Sequence, residues 1–281
     1  MADNRRTVWG WVWPPPPIAT RLWVAVAGAT VYSAVVWAAQ PRHDALQPVW
    51  ASQFALLNTA ILGLLVSFRT KVAYDRWWEA RVLWGGLVNN SRNLCLKARA
   101  LAGLDPAERA RLAALVAGFA VALMRHLRGP LKLADLSGFE KQTATPGHVP
   151  LYLAGEVHEA VAAWRAAGRI DGHMHQMLDA HAAALMDVCG ACERIRNTPL
   201  APSYLSLLRH GLVLGFLATP WALEQSLGAW SIIVQAVAVY FLFGIELTAE
   251  AVEQPFGSDG DDLALEAYCE TIRKSATEVL S

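Results

Sequence analysis

The sequence predicts an all-α membrane protein, and three observations carry that reading. Long stretches lack any charged residue, the charged middle segment is patterned for helices, and neither strand-like alternation nor an internal repeat interrupts the pattern. At 281 residues the chain could form one large soluble domain or two small ones, but 54% of it is hydrophobic and only 17% is charged, a balance that favours a bilayer. Mean hydropathy is positive. The 12 tryptophans point the same way, because indole rings concentrate where protein meets lipid headgroups.

Taken in order, residues 1–17 form a cytosolic N-terminal segment holding Arg5, Arg6, Trp9, Trp11, Trp13 and the run Pro14 to Pro17. The proline run is expected to be extended, and the segment is not expected to be a cleaved signal. Residues 18–68 hold the first two membrane helices. Leu22 to Ala39 is uncharged and long enough to cross a hydrocarbon core of roughly 30 Å at about 1.5 Å per residue. A short loop with Pro41, Arg42 and Asp44 leads to Trp50 to Phe68, whose polar Gln53, Asn58, Thr59 and Ser67 should face protein or water rather than lipid. Residues 204–248 hold the other two. Gly211 to Leu223 is short and contains Pro220, so this helix is expected to start near Tyr204, with Arg209 and His210 at its mouth; Leu227 to Ile245 is uncharged and of spanning length, with Gln235 inside it. Residues 249–281 are a cytosolic C-terminal segment.

Orientation follows from Lys and Arg, which accumulate in loops kept in the cytoplasm. Arg5, Arg6 and Arg21 precede the first span, Arg69, Lys71, Arg76 and Arg81 follow the second, and Arg194, Arg196 and Arg209 approach the third. The opposite loops are nearly bare, so both termini and residues 69–203 should be cytosolic. That middle region reads as helical. Asp105, Pro106 and Glu108 mark a helix start. Leu112 to Met124 covers only about 20 Å and is flanked by Arg111 and Arg125, which favours a buried cytosolic helix over a fifth span. Residues 135–150 read as a loop and His173 to Arg196 as a further helix.

Several function classes lose support. With zero formal net charge and no polybasic arm, nothing recommends nucleic acid as a partner. Cys95, Cys189, Cys192 and Cys269 lack the spacing of a secreted disulfide framework and are expected as reduced thiols; Cys189-Gly-Ala-Cys192 is read as close helix packing around small residues. His173, His175 and His181 with Asp171 do not share one helical face and are expected as surface residues rather than metal ligands. No nucleophile elbow, phosphate loop or His-Glu-x-x-His is present, so the chain is not expected to be an enzyme. An active transporter is disfavoured because no span holds a buried acid, a group costing roughly 2.5 to 3.5 kcal/mol at a helix centre.

Three blocks carry a family resemblance. Phe68-Arg-Thr-Lys-Val-Ala-Tyr-Asp-Arg-Trp-Trp-Glu-Ala-Arg-Val-Leu-Trp closely resembles the bestrophin hallmark that follows the pore-lining second helix. Cys192-Glu-Arg-Ile-Arg-Asn-Thr-Pro-Leu-Ala-Pro-Ser-Tyr is similar to the bacterial bestrophin stretch before the third span, and Glu253-Gln-Pro-Phe-Gly-Ser-Asp-Gly-Asp-Asp-Leu to the acidic block after the fourth. The resemblance implies a homopentameric channel with a narrow membrane neck, a cytosolic vestibule and a second constriction. Its neck positions fall on Ala60, Leu64 and Phe68, whose spacing of four shares a helical face, and its second constriction on Leu200. Periodicity alone is equally met by packing between helices. Ala60 departs from the family's bulky residue.

The hallmark's Arg69, Tyr74, Asp75, Arg76, Trp77, Trp78 and Glu79 would form either a charged collar below the neck or a set of structural pairs, with pairing the expected outcome for most of them. In animal members the acidic block helps to form a calcium clasp. Gln254, Asp259 and Asp262 occupy its positions here, but Gln254 replaces an Asn, Ala251 a Gln, and Gly260 removes an acid, so a helix-capping loop and no cofactor are expected. An uncharged neck would control conduction through the difficulty of wetting it. The resemblance therefore implies a passive channel for monovalent ions, chloride by family default, in the inner membrane if the source is bacterial. A monovalent-cation channel, and a membrane-anchored helical scaffold or sensor, remain as alternatives.

Overall fold

The computed structural model describes residues 16–39 and 50–281, and among them every regular element is helical. The helices are α1 (Pro16–Ala39), α2 (Trp50–Leu101), α3 (Pro106–Arg128), α4 (Val149–Ala166), α5 (Gly172–Asn197), α6 (Pro202–Leu227), α7 (Trp230–Val252) and α8 (Leu265–Leu280), with one 3-10 turn at Leu133–Asp135. Pro16 and Pro17 stand in the first turn of α1, where a missing N–H has no intrahelical partner to lose, so the expected extended run does not reach that far. Arg5, Arg6, Trp9, Trp11, Trp13, Pro14, Pro41, Arg42 and Asp44 lie outside the described residues.

The chain divides into two units: the described residues up to Asp75 with Leu200–Glu253, and Arg76–Pro199 with Gln254–Ser281. In the first, α1 packs on α7 and α6, and α6 packs on α7. Among the described residues four helices are long and apolar enough to cross a membrane: α1, α2, α7 and, in the other unit, α3. α6 reaches that standard only when joined to α5.

The polar residues of the apolar stretches find protein partners, as hydrocarbon requires. Asn58 Nδ2 donates to Gly211 O at 3.3 Å, Thr59 and Ser67 donate to carbonyls one turn back at 2.7 Å, and Tyr204 donates to Leu65 O at 2.6 Å. The small residues opposite make this approach feasible. A Cβ added at Gly211 would lie 2.9 Å from Leu62, and one at Gly215 only 2.4 Å from the Asn58 amide.

Pro220 does not shorten its helix. α6 runs through it to Leu227, because the carbonyl that a proline at this position leaves without a donor, Phe216 O, accepts from Gln235 Nε2 on α7 at 3.0 Å. The polar side chain in the fourth apolar stretch thus repairs the defect in the third.

The second unit has its own core. Leu112, Leu115, Val116, Phe119 and Leu123 of α3 pack with Leu153 and Val157 of α4, Leu178 and Leu185 of α5, and Leu265 and Ile272 of α8. Asp105 and Glu108 form the reciprocal cap at the start of α3, Asp105 Oδ1 accepting from Glu108 N at 2.8 Å and Glu108 Oε2 from Asp105 N at 3.1 Å. α4 is a separate helix that the undivided reading of 69–203 does not single out; it opens at the end of the predicted loop, where the His148 ring caps it.

All four cysteines are free and buried, and burial pushes the Cys269 thiol up to about 12. Cys189 and Cys192 belong to the core, but Gly190 does not explain their spacing: it is exposed, with nothing within 4 Å of the place a Cβ would take. His181 is not a surface residue. It is half-buried, with Lys97 Nζ 2.7 Å from its Nε2 and Asn90 Oδ1 2.9 Å from its Nδ1.

Two outcomes follow from this packing. Gly215→Val should lower the thermal unfolding midpoint of the detergent-solubilised protein by the equivalent of about 1–3 kcal/mol, the range for overpacking, while Gly155→Ala on α4, where no atom lies within 4 Å, should not lower it. Burial first, and the Lys97 charge second, hold the His181 imidazole below its usual value, so the folded state prefers the neutral ring. That preference stabilises above the unfolded value of about 6.5 and is lost as pH falls from there toward the lower folded value. Unfolding midpoints should drop across that window, and by less in His181→Gln.

Candidate functional site

In the first unit α2 has two unlike faces. Leu62 and Val66 are buried against Leu208 and Leu212 of α6, with Leu65, Phe216 and Leu242 packed around them. Ala60, Leu64 and Phe68 point away from that seam. Leu64 is 59% exposed and Phe68 56%, and with Leu57 and Ile61 they make an apolar surface that the other described residues do not cover. From Trp50 to Phe68 the helix runs about 28 Å at about 1.5 Å per residue, enough to cross a hydrocarbon core.

The rotation of α2 is fixed one residue beyond Phe68. Arg69 is 1% exposed; its Nη2 lies 2.8 Å from Glu253 Oε2 and its Nε 3.4 Å from Glu246 Oε2 on α7. Glu253 Oε1 also accepts from Leu200 N at 3.0 Å. At the edge of the cluster Arg209 reaches Glu246 at 4.0 Å and Glu250 at 3.8 Å, and Arg21 makes a two-toothed contact with Glu250 at 3.2 Å. Isolated charges so buried would be prohibitively destabilising; paired across α2 and α7, they become a directional fastening.

This overturns one expectation. The helix that carries the fourth apolar stretch does hold a buried acid, Glu246, because α7 continues past Ile245 to Val252. The acid faces a cation on the adjacent helix, a pairing that linear order conceals. Arg69, for its part, is a structural pair and not a member of an open collar.

The remaining hallmark residues divide between the units. In the first, Tyr74 and Asp75 are exposed, with Asp75 paired to Lys71. In the second, Arg76 donates to Ile195 O and Thr198 O, satisfying carbonyls at the C-terminal end of α5 where a cation is favoured. Trp77 Nε1 donates to Asp261 O at 3.1 Å, Arg81 lies over the Trp78 ring at 5.2 Å, and Glu79 pairs with Arg194. Leu200, the expected constriction residue, stands between α5 and α6 and is half-buried, held by its N–H on Glu253.

The acidic block closes on itself. Asp262 Oδ2 accepts from Asp259 N at 2.6 Å and occupies the space where Gly257 would carry a Cβ. The carbonyls of Phe256 and Gly257 accept from Arg128 at 3.0 and 2.8 Å, and Asp261 O accepts from Trp77. Gln254 lines a cavity of about 460 Å³ with Arg76, Arg128 and Arg196.

Sequence reasoning missed another cluster. Among the described residues, His126, His148 and Glu193 alone bring three ligating side chains within 4.8 Å of one another. They come from three elements and sit 22 and 45 residues apart, so no spacing rule could have joined them.

A family profile described as bacterial/fungal bestrophin protein matches residues 16–278. A protein described as voltage-dependent anion channel-forming, from Nostoc sp., is 32% identical over 244 residues, covering 84% of this chain and 78% of its own length. One of the same description from Mesorhizobium japonicum is 32% identical over 270 residues, covering 94% and 86%. The fold is similar to that of a crystallised bacterial bestrophin homologue from Klebsiella pneumoniae, with a TM-score of 0.84 at 22% identity, covering 93% of this chain and 99% of that one.

Removing one partner of the buried ion cluster tests its role. Arg69→Ala, which strands Glu246 and Glu253, should destabilise by about 3–5 kcal/mol. Arg21→Ala, which breaks an exposed pair, should cost no more than about 1 kcal/mol by the same unfolding measurement.

Proposed function

Because the chain belongs to the bacterial and fungal bestrophin family, we propose that it is an ion-channel subunit. Five copies surround an axis lined by α2, with Ala60, Leu64 and Phe68 forming stacked rings of a neck. One observation carries this reading. α2 leaves Leu64 and Phe68 uncovered at the cytosolic end of its apolar stretch, while its opposite face is locked onto α6 and α7 by Leu62, Val66 and Arg69. A face held in one orientation and left uncovered is what symmetric copies require to meet around a pore.

The spans in this reading are α1, the first part of α2, α6 and α7, placing both termini and the second unit in the cytosol of a bacterial inner membrane. α3 has the length and composition of a span, but it supplies the core against α4, α5 and α8, which favours a water-facing unit. Leu200 lies on the cytosolic path as a further constriction.

An uncharged neck admits ions only when it wets, so the aliphatic and aromatic rings act as the barrier and widening them raises conduction. The relatives described as anion channel-forming support chloride as the permeant ion. No cofactor enters this reading: Asp262 is engaged by the backbone of its own loop, which does not favour an open calcium cage.

Purified protein in liposomes should pass chloride, and Leu64→Ala with Phe68→Ala should increase the flux severalfold. Reversal potentials in asymmetric potassium chloride should follow chloride; values following potassium would replace the anion reading with a cation channel. If neither the parent nor the double variant conducts, the spans are tethers for a scaffold and the channel reading fails.

A further inference from the structure

His126, His148 and Glu193 make a compact arrangement that the channel reading does not use. Glu193 Oε1 lies 2.7 Å from His126 Nε2 and 2.8 Å from His148 Nε2, and the two imidazole rings are 4.5 Å apart between centroids. His126 sits in the last turn of α3, His148 is the N-cap of α4, and Glu193 is near the end of α5. All three belong to the second unit, and each side chain is exposed by 30% or less, so the group is sheltered yet open to an entering ion.

From this geometry we infer a zinc site, with His126 Nε2, His148 Nε2 and a Glu193 carboxylate oxygen as its protein ligands. Two imidazoles and one carboxylate suit a borderline transition metal, whereas calcium and magnesium would want an all-oxygen set. Zinc bonds of about 2.0–2.1 Å in a tetrahedral array separate ligand atoms by about 3.3 Å. The two Glu193–imidazole separations need to open by only about half an ångström, the three ligand atoms already lie within 4.8 Å of one another, and water completes the coordination.

The surroundings couple the ion to the fold. The Leu151 N–H donates to His148 Nδ1 at 3.0 Å, so the neutral ring carries its proton on Nε2, the atom that would bind metal. Ligation through Nε2 moves that proton to Nδ1, where it opposes the Leu151 N–H and releases the cap on α4. Arg196 Nη1 donates to His126 O at 2.7 Å and adds a nearby positive charge. Zinc therefore exchanges a helix cap for a clip that joins the ends of α3 and α5 to the start of α4, closing the connection between residues 129 and 148.

The test uses the full chain in detergent after chelator treatment and dialysis. Titration with zinc chloride should give one ion per chain, and cobalt should give the absorption bands of a tetrahedral site without a thiolate charge-transfer band. His126→Ala and Glu193→Gln should weaken zinc by at least about tenfold. His148→Asn, which retains a capping oxygen, should also lose zinc while keeping the helical circular dichroism of the parent. His173→Ala, on an exposed position, should change nothing. Hydrogen exchange at the Leu151 amide should quicken on loading. Zinc uptake indifferent to all three ligand variants, a thiolate band placing the ion on cysteine, or no uptake at all would overturn the assignment.

Discussion

The unit that holds α1, α6, α7 and the first part of α2 depends on keeping one buried cation beside two buried acids. Arg69 on α2 meets Glu246 on α7 and Glu253 just beyond it, at positions from which water is almost excluded. An ion group of this kind adds little net stability over apolar packing, but breaking it is severe, so it acts as a constraint on geometry. It forbids α2 from turning about its axis, because any rotation that buried Phe68 would expose the charge of Arg69 or strand its partners. The uncovered apolar face of α2 is held uncovered by electrostatics next door.

The polar groups inside the apolar helices obey one rule with the same consequence. Asn58 reaches the Gly211 carbonyl, Tyr204 the Leu65 carbonyl, and Gln235 the carbonyl opened by Pro220. Each is a directional bond between two helices in a setting where dispersion alone would leave register loose. Glycine at 211 and 215 permits the approach. The result is a helix set whose mutual registry is fixed by a few polar atoms while most of its outer surface remains aliphatic.

Part of the hallmark segment fastens neighbouring elements. Arg76 closes the carbonyl end of α5, Trp77 holds the acidic loop through Asp261, and Glu79 ties to Arg194. Arg128 secures the other side of that loop at Phe256 and Gly257. These residues cluster in sequence because they follow the apolar end of one long helix, and each turn of that helix offers a different neighbour to fasten.

What the sequence determined by itself was helical content, the apolar lengths and the start of α3, because each rests on local chemistry: a run without charge, or Asp105 and Glu108 three residues apart. The buried core role of α3 was legible too, from Arg111 and Arg125 at its flanks. Tertiary structure alone decided which atoms meet. Pro220 leaves a carbonyl that only Gln235, 15 residues on, supplies with a donor; His181 looked like a surface residue until Lys97 and Asn90 were placed against it; and His126, His148 and Glu193 have no relation in linear order. Partners distant along the chain come together only when helices pack, and the angles and rotations of that packing arise from many weak contacts that no single segment encodes.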